Sequence, residues 1–108
     1  RLPDFSWELP AAAAAPERIT LAPGYPNPFN GATSMTFRLP SKARVNLTIL
    51  NTLGREVVTL IDAELEGGEH IAAWDGRDLK GDTVPSGTYF ARLSGPGTVL
   101  VRKMQLIQ

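Results

Sequence analysis

The side chains with chemical potential are few and widely spaced. The 108-residue chain has one histidine, His70, and no cysteine. Two-histidine metal motifs, thiol nucleophiles, Cys-ligated zinc, iron–sulfur clusters and disulfides are therefore excluded. His70 alone could do imidazole acid–base work. It lies in Glu69-His70-Ile71, a strand-like stretch, opposite in phase to Ile71 and Ala73, which predicts a solvent-facing histidine. Ser34, Ser41, Ser86 and Ser94 fall in strands or turns, and none sits in the sharp turn that lifts a nucleophilic serine. A glycosidase pair of carboxylates would have to come from residues 56–82. Those acids read as loop and surface groups rather than two carboxyls at fixed separation in a cleft. The expectation is a protein that is not an enzyme.

Asp75, Asp78 and Asp82 are spaced closely enough to offer oxygen ligands to calcium. The spacing departs from the twelve-residue calcium loop and no glutamate closes it. Arg77 and Lys80 also lie among the acids, and Asp and Gly are what tight turns require. A turn without cofactor is expected, with calcium as the weaker alternative. A carbohydrate platform would use coplanar exposed aromatics. The candidates Trp7, Tyr25, Phe29, Trp74, Tyr89 and Phe90 are scattered along the chain, and Trp74 and Tyr89 read as core packing. Asn46-Leu47-Thr48 matches a glycosylation sequon but falls mid-strand.

Charge says what the partners are not. Eleven basic and eleven acidic residues cancel, so the basic excess of a nucleic-acid binder is missing. The charges are nonetheless segregated, with eight acids between 56 and 82 and no acid from 83 to 108. No apolar run is long enough to span a bilayer.

The elements that would position these groups are strands. Residues 1–24 hold Pro3, Pro10, Pro16 and Pro23 around Ala11 to Ala15, a composition for extended chain. They read as an interdomain linker and the end of an upstream module, with Ile19-Thr20-Leu21 as a weak edge strand. Residues 25–108 read as one domain. Met35, Phe37 and Leu39 alternate with polar residues, as do Val45, Leu47 and Ile49, and then Tyr89, Ala91 and Leu93, the period of half-buried strands. Residues 55–61 and 69–74 are strand-like. The last strand, Thr98 to Ile107, is apolar on both faces in part, and a bulge near Arg102 would reconcile its pattern. Asn51-Thr52-Leu53-Gly54 predicts a hairpin connection with Gly54 at positive φ. Turn signals every 8–12 residues indicate an all-β, seven-stranded antiparallel immunoglobulin-like β-sandwich preceded by an extended Ala/Pro-rich linker.

Four blocks in order carry a family resemblance: Tyr25-Pro26-Asn27-Pro28-Phe29-Asn30 with Phe37-Arg38-Leu39-Pro40; Val45 through Val57; Trp74-Asp75-Gly76-Arg77-Asp78 with Ser86-Gly87-Thr88-Tyr89-Phe90; and Arg102-Lys103-Met104-Gln105-Leu106. From residue 25 onward the chain resembles the C-terminal type A sorting domain of the type IX secretion system, and more loosely the Ig-like domain of the flagellar hook-capping protein. Gly31 stands where the family often has proline, and Gln108 where a basic terminus is frequent. The resemblance implies a non-catalytic signal on an exported cargo, often a hydrolase. The cargo would be directed through the periplasm, across the outer membrane and to the cell surface. The implied partners are the outer-membrane secretion machinery, an upstream cargo domain in the same chain, and surface lipopolysaccharide after processing. Arg102, Lys103, Met104 and Leu106 are the expected recognition residues, on a terminal strand where strand addition is available. Pro26, Asn27, Pro28, Gly54, Trp74, Asp75, Gly76, Gly87 and Tyr89 are expected to be mainly structural. The prolines are expected to forbid ladder pairing at the entry to the sandwich. Two alternatives are an accessory carbohydrate-binding module of a secreted glycoside hydrolase and a structural Ig-like interaction module.

Overall fold

A computed structural model describes residues 18–108. Most of the expected linker, including Trp7, lies outside the described residues. Seven strands follow in chain order: β1 (Thr20–Leu21), β2 (Thr33–Leu39), β3 (Ala43–Leu50), β4 (Glu56–Leu65), β5 (Gly68–Trp74), β6 (Gly87–Gly95) and β7 (Thr98–Leu106). They form two antiparallel sheets, one ordered β1-β2-β5 and the other β4-β3-β6-β7. This is the expected all-β sandwich.

Period-two patterning explains the layering. β2 sends Met35, Phe37 and Leu39 inward, and β3 sends Val45, Leu47 and Ile49 to meet them. β6 adds Tyr89, Ala91 and Leu93, and β5 adds Ala72 and Trp74. Burying each Val, Leu, Ile, Phe or Met of these rows contributes about 1.5–3 kcal/mol, so the facing apolar rows carry the fold. Ile19 and Leu21 are also in the core. Residues 18–24 thus belong with the sandwich rather than the linker, and the folded part begins before the boundary expected at residue 24.

β4 runs on to Leu65, beyond the stretch read from sequence. Two register shifts against β3 interrupt it, at Leu47/Thr48 and at Ile49/Leu50. Each shift adds an unpaired residue and reverses the inward face, which blurs the alternation. The β3–β4 connection follows the sequence expectation. The Asn51 Oδ1 accepts from the backbone N–H of Leu53 and Arg55 at 2.9 and 3.0 Å, and Gly54 has φ 80°.

Two expectations are corrected. β7 pairs with β6 in one uninterrupted register from Gly95↔Thr98 to Gly87↔Leu106, so there is no bulge near Arg102. Its even residues, Leu100 to Leu106, face the core side; Val99 and Val101 face solvent. The second correction concerns His70, which shares the inward phase of Ala72 and Trp74 while Ile71 and Ala73 are exposed. The His70 ring stacks on Phe37 (5.4 Å between centroids, 25° between planes) and Nε2 hydrogen-bonds the Glu66 carbonyl at 2.7 Å. Trp74 fixes this phase, because a one-residue slip would put the indole in water.

Candidate functional site

The motif residues converge on one place, the last strand and the segment that holds it. Pro26 and Pro28 lack N–H groups, so this stretch cannot make a regular ladder; both follow cis peptide bonds. The pairing is made around them. Tyr25 exchanges backbone bonds with Ser34 at 2.9 and 3.0 Å. Phe29 donates to the Gln105 carbonyl and accepts from Ile107 N–H, both at 2.9 Å. Between the prolines, the Asn27 side-chain amide takes the part of a peptide group. Its Nδ2 donates to the Lys103 carbonyl at 3.2 Å and its Oδ1 accepts from Gln105 N–H at 2.9 Å. The prolines therefore do not forbid pairing, as expected from sequence; they move it onto an asparagine side chain and the flanking residues. Buried Thr33 adds a bond from Oγ1 to the Pro26 carbonyl at 2.8 Å.

Asn27→Ala is expected to remove both side-chain bonds and leave the prolines in place. Net loss should be about 1–2 kcal/mol. Urea unfolding would measure it, and hydrogen exchange at the Gln105 amide should quicken selectively.

The expected recognition residues divide. Met104 and Leu106 are 0% and 1% exposed. They pack in the core and are not presented, because the even phase of β7 faces inward. Arg102 is tied across the sandwich: its Nε donates to the Leu21 carbonyl at 2.7 Å. It thus caps a carbonyl on the outer side of β1, a charged edge guard of the usual kind. Arg102 and Lys103 are both exposed, and Lys103 makes no ion pair among the described residues.

The third motif block supports the same strand from beneath. Trp74 lies against Phe29 (centroids 5.6 Å apart) and Tyr89 (5.2 Å), and its Nε1 donates to the Arg77 carbonyl at 2.9 Å. Gly76, at φ 74°, brings the loop close to Leu106, whose Cδ2 would lie 3.6 Å from an added Cβ. The Tyr89 hydroxyl donates to the Pro85 carbonyl at 2.7 Å. Gly87 opens β6 opposite Leu106.

Burial raises the Tyr89 pKa above its ordinary value of 10.0. The folded value therefore exceeds the unfolded one, so this stability is intact below about pH 10 and is lost as pH rises through the folded pKa. Thermal melts should show stability falling above about pH 10, and Tyr89→Phe should remove that component.

The aspartates are used locally. Asp78 Oδ1 accepts from Lys80 and Asp82 N–H at 2.9 and 3.0 Å, and Asp75 Oδ1 accepts from Arg77 N–H at 3.2 Å. Through these bonds Asp75 and Asp78 hold the turns, and Asp82 enters by its backbone N–H. Among the described residues the aromatic candidates do not form a platform. Phe29, Trp74 and Tyr89 are in the core, Phe90 is half-buried and Tyr25 stands exposed. Sequence reading missed the Arg102–Leu21 tie and the Asn27 mimicry. The second had a signal, since an asparagine between two prolines is the one group there with both a donor and an acceptor to spare.

Residues 25–96 match the family model described as the FlgD Ig-like domain. The basal-body rod modification protein FlgD of Salmonella typhimurium is 43% identical over 60 residues, 54% of this chain. The match spans about a quarter (26%) of that relative's length. Among solved structures, dimeric latent PorU from Porphyromonas gingivalis superposes with a TM-score of 0.66 at 22% identity, covering 86% of this chain and 10% of PorU. PorZ, an essential bacterial surface component of the type-IX secretion system of the same organism, gives 0.53 at 23% identity, covering 83% and 11%. These likenesses show the sandwich architecture, carried as one small part of much longer chains.

Proposed function

The chain belongs to the FlgD Ig-like domain family, and on that premise we propose that it is a non-catalytic C-terminal sorting module of the type IX secretion system. In this reading it directs an exported cargo, a hydrolase, through the periplasm and across the outer membrane to the cell surface. The observation that carries the reading is where the motif lies. Its residues are spent on seating one strand, β7, through Asn27, Phe29, Trp74 and Gly76. A module that must be read by other machinery needs a stable fold, and the facing apolar rows of the two sheets supply one. The fold likeness to parts of PorU and PorZ supports the same reading. Partners would be the outer-membrane machinery and the cargo domain upstream, with surface lipopolysaccharide as the destination after processing.

The test is a fusion. The 108-residue chain is attached behind a periplasm-targeted reporter in a bacterium that has a type IX system. The reporter should reach the surface or medium, and should stay periplasmic when the system is disabled. Equal distribution in both strains would sink the reading.

One observation favours a second reading. The 43% identity to FlgD fits a structural Ig-like module that mediates protein contacts in an envelope assembly. Co-purification of the chain with rod or hook components, and no export in the fusion assay, would decide for it. The carbohydrate-binding alternative loses its support among the described residues, because its aromatics are mostly used in the core.

A further inference from the structure

The two ends of the four-stranded sheet are guarded differently. β4, at one end, carries two register shifts and the exposed acids Asp62 and Glu64, devices that discourage edge pairing. β7, at the other end, is sealed from Lys103 to Ile107 by Asn27 and Phe29. Upstream of Lys103 the seal stops. The carbonyls of Lys103 and Gln105 and the N–H groups of Gln105 and Ile107 all point to the clamp. Peptide groups two residues apart on a strand point the same way, so those of Val99 and Val101 face the outer edge too. Among the described residues nothing bonds them there. The two residues are 63% and 51% exposed. This stretch has no proline, acid or bulge; of its two basic residues, Arg102 is turned to the Leu21 carbonyl of β1, which leaves the edge from Thr98 to Val101 without a charged guard.

Charge brackets the open stretch. Arg18 and Thr98 line one depression of about 210 Å³ at its start, and Lys103 stands exposed at its end. Neither cation has an ion-pair partner among the described residues. We infer that the half-edge of β7 from Thr98 to Lys103 takes an extended peptide by strand addition. That peptide carries apolar side chains at two alternate positions, beside Val99 and Val101, and an acidic side chain near each end. Main-chain bonds supply the affinity, and the alternate side chains with the two charges supply the selection. The inference holds whether the domain serves as an export address or as an assembly module.

The test uses the labelled 108-residue chain and the blocked peptide Ac-Glu-Val-Thr-Val-Thr-Glu-NH2, followed by amide shifts and hydrogen exchange. Exchange should slow at Val99, Val101 and Lys103, with the β6–β7 ladder unchanged. The counterpart with both glutamates replaced by lysine should bind about tenfold more weakly. Val101→Pro deletes one outward donor and spares the bonds to β6, so it should fold and lose about tenfold in affinity. Lys103→Glu should lose about fivefold and keeps the test alive if the proline variant fails to fold. Shifts centred elsewhere, equal binding of the two peptides, or wild-type binding by Lys103→Glu would each overturn the inference. So would protection of Val99 and Val101 without peptide that is lost on dilution or on removing residues 1–17. That result would assign the edge to a second copy or to the chain's own leader.

Discussion

A chain stopped at Lys103 is expected to unfold, not merely to lose a signal. Removing residues 104–108 takes away Met104 and Leu106, both fully buried. Each such deletion costs about 2–5 kcal/mol. The bonds from Phe29 to Gln105 and Ile107, and from Asn27 to Gln105, go with them. So do the bonds that Gln108 makes to Ser86 and Val84. The total is comparable to the whole stability of a small domain, about 5–15 kcal/mol. Circular dichroism and urea titration should show no cooperative transition in the truncated chain. A truncated chain that keeps a sharp transition near the wild-type midpoint would contradict this packing. The result bears on any secretion assay, because a cargo trapped after such a truncation could be trapped by misfolding. Lys103→Glu, which changes an exposed charge and leaves the core intact, is the cleaner probe of recognition.

Trp74→Ala should be the most damaging single substitution. The indole fills the space between Phe29 and Tyr89 and gives a hydrogen bond to the Arg77 carbonyl. Removing it leaves a cavity under the clamp and frees the loop that holds Gly76 against Leu106. A loss of about 3–5 kcal/mol is expected, read as a lower urea midpoint with unchanged slope. Trp74→Phe should lose less, since it keeps part of the ring packing and forfeits the hydrogen bond. A Trp74→Ala midpoint within experimental error of wild type would mean that the motif's aromatic does not organise the strand's seat.

Much of the fold was legible because strands betray themselves by alternation. Met35-Phe37-Leu39 and Val45-Leu47-Ile49 read out their inward faces directly, and all six are buried. β7 was harder. Val99 and Val101 are apolar yet face solvent, and Arg102 shares the inward phase yet ends on a carbonyl. Its two faces could not be ranked from composition, and only its uninterrupted pairing with Tyr89 and Ala91 settles them. His70 was misread because Ile71 and Ala73 look like the apolar face, whereas Trp74 outweighs them and sets the opposite phase. The clamp at Asn27 depends on a partner 76 to 78 positions away. Local pattern carries no information about contacts of that reach. The motif residues were legible as a set, but their job was not.

The ties from Leu21, Asn27 and Phe29 to β7 link the two ends of the sandwich, with Arg102 and Leu21 separated by 81 positions. Loop closure over such distances is slow and comes late in assembly. A chain emerging amino end first from a ribosome or a pore therefore carries its clamp empty until Gln105 is free. Until then, Phe29 lacks the strand it pairs with. Completion of the last ladder thus reports that the whole domain has emerged: an intact surface exists only once β7 is in place, and a product stalled before Gln105 stays exposed to proteolysis.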